Sequence, residues 1–159
     1  MRRFPGSRRY PQYGQDALRE SLADAGIRYS WIESLGGRRS AARDSRNLAW
    51  KNAAFRGYAD HMGSGEFAAG LNELLVLAGD APTAIMCSEA VWWRCHRGLI
   101  ADLLLSRGVA VLHIVSDKPA EPHPYTGAAR LTNGRLTYDP AEGEPAAQLH
   151  GRAVQPSLL

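Results

Sequence analysis

The chain has 159 residues, 45% of them hydrophobic and 22% charged, with two cysteines and a formal net charge of +3. That length suits one domain with a buried core, and no run approaches the roughly 20 apolar residues of a membrane-spanning helix. Two thiols exclude a disulfide scaffold, and the N-terminus lacks the apolar core of a signal peptide. The expectation is a cytoplasmic protein with reduced thiols and no membrane partner.

The charge is uneven. Residues 1–56 hold twelve Arg or Lys against five Asp or Glu, a balance of +7, while residues 57–159 come to −4. A one-sided basic region points to a phosphate-bearing small molecule or a nucleic acid as partner, or to nothing more than a solvated arginine-rich loop.

In chain order, residues 1–14 read as a loop by their prolines and glycines. Residues 15–25 form an amphipathic helix ended by Gly26, and residues 27–32 a strand. The polar stretch 33–57, with five arginines and one lysine, reads as a long loop. Ser64 caps a helix running to Leu77, with Phe67, Leu71, Leu74, Leu75 and Ala78 facing inward.

Residues 83–87 (Thr-Ala-Ile-Met-Cys) form a short apolar strand. Cys95-His96-Arg97 opens a helix with the stripe Leu99, Ile100, Leu103 and Leu104, which Arg107-Gly108 ends. A second apolar run covers residues 109–115. Strand, helix and strand with short joints predict a βαβ unit, and with it an α/β fold built on a mainly parallel sheet flanked by helices. Residues 129–138 alternate around Asn133-Gly134 and predict a C-terminal β-hairpin. Residues 1–138 read as a single α/β domain and 139–159 as a disordered tail.

Ligands of open α/β sheets sit at the carboxyl ends of strands, which puts Cys87, Glu89, Arg94, Cys95, His96 and Arg97 in one expected anion-binding pocket. Cys87 and Cys95 are candidate nucleophiles, since a helix start and nearby cations favour the thiolate. Cys87 reads equally as a small core residue. Glu89 and His96 are candidates for proton transfer. Arg97 opposes the helix dipole, a placement that makes sense with an anion between it and the helix amides, or with a salt bridge to Glu89. Arg3, Ser7 and Arg8, interleaved with Phe4, Tyr10 and Tyr13, would close over that anion or anchor the loop to the core. His113, in an apolar run, reads as a core histidine.

The spacing matches neither a phosphatase loop nor Cys-x-x-Cys. No metal or other cofactor is expected. Cys87, Cys95, His96 and His113 would make a zinc set by residue type, without a recognised ligand spacing.

Phe4-Pro5-Gly6-Ser7-Arg8, Gly26-Ile27-Arg28-Tyr29, Leu35-Gly36-Gly37, Cys87-x-Glu89, Cys95-His96-Arg97 and His113-Ile114, taken in order, resemble the Domain of Unknown Function 488 family over roughly residues 2–138. The resemblance implies a compact α/β domain and no established reaction. Family members commonly begin earlier, with a strand ending in Thr-Ile-Gly-His-Ser, a helix and a strand ending in Asp-Val-Arg. Against that pattern the chain reads as N-terminally truncated, with an exposed sheet edge and reduced stability expected.

Three functional expectations follow. The first is binding of a phosphate-containing ligand (nucleotide or nucleic acid), with hydrolytic or transfer chemistry added. The second is a non-catalytic basic nucleic-acid-binding module. The third is a thiol redox sensor using Cys87 and Cys95.

Overall fold

The computed structural model describes residue 6 and residues 8–140. The expected positions of Arg3 and Ser7, and nearly all of the expected tail, lie outside the described residues. Among the described residues there are four α-helices: α1 (Gln15–Asp24), α2 (Ala53–His61), α3 (Gly65–Asp80) and α4 (Arg97–Ser106). The strands are β1 (Leu112–His113), β2 (Glu121–Pro122), β3 (Arg130–Thr132) and β4 (Arg135–Thr137). No described helix is long and apolar enough to cross a membrane. The chain divides into two compact units, one of Met1–Arg38 with Met62–Arg97 and one of Arg39–His61 with Gly98–Leu159.

Among the described residues the expected mainly parallel sheet is not formed. β1 pairs only with β2 and β3 only with β4, both antiparallel, giving two sheets of two strands each. Residues 27–32 and 83–87 are non-helical but enter no strand ladder among the described residues, and of residues 109–115 only Leu112 and His113 do. Apolar periodicity reports a chain's wish to be covered, not its neighbours; a ladder also needs a partner in register. These runs lack the two-sided cover of a parallel strand: Ile27 is 54% exposed, Met86 49% and Ile114 74%.

Helix ends obey local chemistry more faithfully. Gly26 and Gly108 both take positive φ, 70° and 78°, as expected of glycine just past a helix. After α1, Gly26 N–H donates to Ala23 O and Ile27 N–H to Leu22 O; after α4, Gly108 N–H donates to Leu105 O and Val109 N–H to Leu104 O. Both are Schellman closures, which satisfy carbonyls that the helix leaves over. At the start of α3, the Ser64 hydroxyl accepts from Phe67 N–H at 3.1 Å. The hairpin also forms as its turn residues demand, with Asn133 and Gly134 at φ 52° and 75° between Thr132 and Arg135.

In the first unit α3 buries Phe67, Gly70, Leu71 and Leu74, and a 3-10 turn at Glu33–Leu35 packs on it. Gly70 is what permits this approach, since a Cβ there would lie 2.0 Å from the Ser34 hydroxyl. In the second unit the polar stretch expected to be loop is held by α2, which it enters. Asp60 on α2 accepts from Ala42 N–H (2.9 Å), Ser45 Oγ (2.6 Å) and Asn47 Nδ2 (2.7 Å). Gly57 on the same helix lets the backbone of residues 39–41 pass where a Cβ would clash.

Candidate thiolate site

The segment between α3 and α4 is built by short turns. Residues 82–87 carry no regular secondary structure, residues 88–91 bend, and Trp92–Arg94 make one 3-10 turn. Cys95 closes that turn, its N–H donating to Trp92 O at 3.0 Å, and then takes an extended conformation (φ −134°, ψ 147°). The chain therefore reverses over Trp92–Trp93 before α4 begins at Arg97. This reversal returns Cys95 and His96 to the end of the 82–87 run.

The result is a cluster. One ligand atom each from Cys87, Cys95 and His96 lies within 4.8 Å of the others. Cys95 Sγ is 3.5 Å from His96 Nδ1, and Arg97 Nε donates to Cys95 Sγ at 3.3 Å. Cys95 and His96 are buried and Cys87 is half-buried, so solvent reaches the cluster from the Cys87 side.

A hydrogen bond from Cys95 to Cys87 links the two thiols. The Cys87 thiol is held well below its ordinary range, first by a hydrogen bond from Cys95, then against the cost of burial by His96 and by the Glu89 N–H. Cys95 is pushed up, first because it supplies the hydrogen bond to Cys87, then by burial and the neighbouring thiolate; the Arg97 N–H and guanidinium oppose this. The thiol held low is thus the half-buried Cys87, and the thiol pushed up is the buried Cys95.

Among the described residues Arg97 makes no bridge to the Glu89 carboxylate. Its guanidinium donates to the Glu89 backbone carbonyl and to Cys95 Sγ, closing the loop on itself. Glu89 is exposed and serves the cluster through its backbone. Arg94 and Arg8 are exposed.

Gly37 completes the site, and sequence reasoning quoted it without seeing its role. A Cβ at Gly37 would lie 2.7 Å from His96 Nδ1 and 3.1 Å from Cε1. Only a bare backbone leaves room for the imidazole in that position. The signal was the Gly36-Gly37 pair at a place where no positive φ requires it, which implies a close approach by something else.

Sequence reasoning also missed a polar network in the second unit. Asp102, wholly buried on α4, accepts from His123 Nε2 (3.0 Å), Thr126 N–H (2.8 Å), Thr126 Oγ1 (2.6 Å) and Tyr138 OH (2.9 Å). His123 Nδ1 in turn meets His113 Nε2 at 2.7 Å. His113 is thus half-buried and engaged by a second histidine.

Paired cysteines and a histidine gather at a helix start, in a chain whose described residues form four α-helices and two small antiparallel hairpins. The chain belongs to the family Domain of unknown function DUF488, whose model matches residues 1–104. That span takes in the whole Cys87–Cys95–His96 cluster and Gly37 but ends within α4, short of His113-Ile114. No curated protein and no solved structure matches the chain.

Proposed function

We propose that this protein is a thiol switch in which Cys87 and Cys95 pass between a dithiol and an intramolecular disulfide. The observation that carries the reading is the approach of both sulfurs and the His96 imidazole to within 4.8 Å. Disulfide sulfurs lie about 2.05 Å apart, so closure takes a small side-chain movement in a segment made of turns. The lowered ionisation of Cys87 supports the same assignment of roles.

A hydroperoxide is the matching oxidant class. The Cys87 thiolate attacks its terminal oxygen; an S–O bond forms, the O–O bond breaks, and the departing alkoxide takes a proton and leaves as alcohol. Cys95, having given up its proton to that alkoxide, then attacks the Cys87 sulfur; S–S forms, the S–O bond breaks, and the departing hydroxide takes a proton from solvent and leaves as water. In sum, two thiols and one hydroperoxide give one disulfide, one alcohol and one water. Binding of a phosphate-bearing ligand has less support, because Arg97 is engaged with Cys95 and Glu89.

The test is peroxide treatment of the reduced full chain at one equivalent, with a chelator present, followed by mass mapping. The expected product is lighter by about two hydrogens, with the Cys87 and Cys95 peptides linked within one chain. Two independently oxidised thiols, or links only between chains, would overturn the reading.

A further inference from the structure

We propose that the reduced cluster is a binding site for one soft divalent ion of the zinc class, held by Cys87 Sγ, Cys95 Sγ and His96 Nδ1, and that closing the disulfide releases it. This rests on the pairing of the two thiols proposed above and adds a ligand to the same site.

The donor set comes first. Two thiolates and one imidazole form a borderline-soft set that suits zinc over magnesium or calcium, and three protein ligands leave a fourth position for water or another group. Of the three ligands Cys87 is the least buried, so solvent or another group has access from its side.

The geometry agrees. Zinc–sulfur and zinc–nitrogen bonds of about 2.3 Å and 2.05 Å at a tetrahedral angle place sulfur and nitrogen about 3.6 Å apart. Cys95 Sγ and His96 Nδ1 are 3.5 Å apart. The remaining separations, none above 4.8 Å, need only small adjustments for all three atoms to meet one ion.

Supporting groups are also in place. The Arg97 guanidinium donates to Cys95 Sγ, and the Glu89 N–H faces Cys87, so each sulfur has a donor that steadies its negative charge. Gly37 holds the imidazole by its lack of a side chain. A divalent ion and two thiolates are together neutral, which removes the cost of burying a lone charge at Cys95.

Release follows from the same electrons. Two metal-bound thiolates, one hydroperoxide and two protons give a disulfide, an alcohol and water, while the ion leaves with its charge unchanged. A disulfide is no thiolate donor, so one imidazole remains and the site is lost.

The experiment is titration of the reduced, metal-stripped full chain with cobalt(II), followed by displacement with zinc(II). The expected result is one equivalent bound with thiolate-to-cobalt charge-transfer absorption and intense tetrahedral visible bands, both removed by zinc. Cys87→Ser and His96→Gln should each weaken binding by more than the roughly 10- to 100-fold that loss of a supporting contact costs. Gly37→Ala, which keeps every ligand but displaces the ring, should weaken it within that range. Peroxide should release the ion as the disulfide forms.

Absence of charge-transfer absorption in the unaltered chain overturns the proposal and does not depend on any variant folding. Binding that survives oxidation overturns it as well. A disulfide that forms with chelator in a chain that never binds cobalt leaves the switch standing and removes the metal site alone. A chain that binds cobalt but forms no disulfide removes the switch, and with it the proposed release.

Discussion

The Cys87–Cys95–His96 cluster and the Asp102–His123–Tyr138 network are both polar groups set among apolar side chains, yet they are built for different ends. Around Asp102 every interaction is a short oxygen or nitrogen hydrogen bond, and one carboxylate takes four of them. Around Cys95 the interactions run through sulfur at 3.3 to 3.5 Å, where hydrogen bonds are weak. The first arrangement fixes structure, because any missing partner leaves a buried group unsatisfied. The second sets a thiol held below its ordinary range on the less buried sulfur, the property that the proposed switch would use. Burial alone therefore does not tell a functional polar cluster from a structural one; the chemistry of the acceptor does.

The comparison is broken most forcefully at Asp102. Asp102→Ala leaves His123, Thr126 and Tyr138 without their shared acceptor and should cost about 3 to 5 kcal/mol. Chemical denaturation measures it, and a loss under about 1 kcal/mol would mean that the network is not what holds the second unit.

Gly37→Ala attacks the other cluster through shape. The added methyl meets the His96 ring, and overpacking of this kind costs about 1 to 3 kcal/mol. Peroxide-driven linkage of Cys87 to Cys95 should slow in the same variant, since the imidazole moves away from the sulfurs. Loss of stability with unchanged linkage would separate His96 from the thiol chemistry.

Tyr138 gives a smaller effect with a pH signature. Its hydroxyl is pushed above the ordinary 10.0, first by burial, then by the charge of Asp102 and the hydrogen bond to it. A raised folded-state value means that the unfolded chain gives up this proton first as pH rises. The stabilisation is full below pH 10 and is lost progressively above it. Tyr138→Phe should cost about 1 kcal/mol near neutral pH, and its stability should fall less steeply above pH 10 than that of the unaltered chain. Parallel alkaline curves for the two proteins would refute this.

What was legible in the sequence was local. Gly26 and Gly108 announce helix ends, Ser64 a helix start and Asn133-Gly134 a hairpin, because each acts on backbone within a few residues of itself. The sheet was not legible. Residues 27–32, 83–87 and 109–115 have strand-like composition, but pairing depends on distant partners that composition does not name. Cys87, Cys95 and His96 were singled out by residue type and nearness along the chain. Asp102 was not singled out at all, because its partners Thr126 and Tyr138 stand 24 and 36 residues away. Arg97 was read as opposing its helix dipole, but its contact with a sulfur two residues back was not foreseen.

The central claim is that Cys87 and Cys95 form one two-electron couple. Equilibration of the full chain in buffers of graded thiol–disulfide ratio, with chelator, quenching by alkylation and mass analysis, tests it directly. The account predicts one transition with a slope of about 30 mV per tenfold change in ratio, both thiols vanishing together and absent from Cys87→Ser. Two thiols that remain alkylatable across the whole range, or that disappear independently, would contradict it.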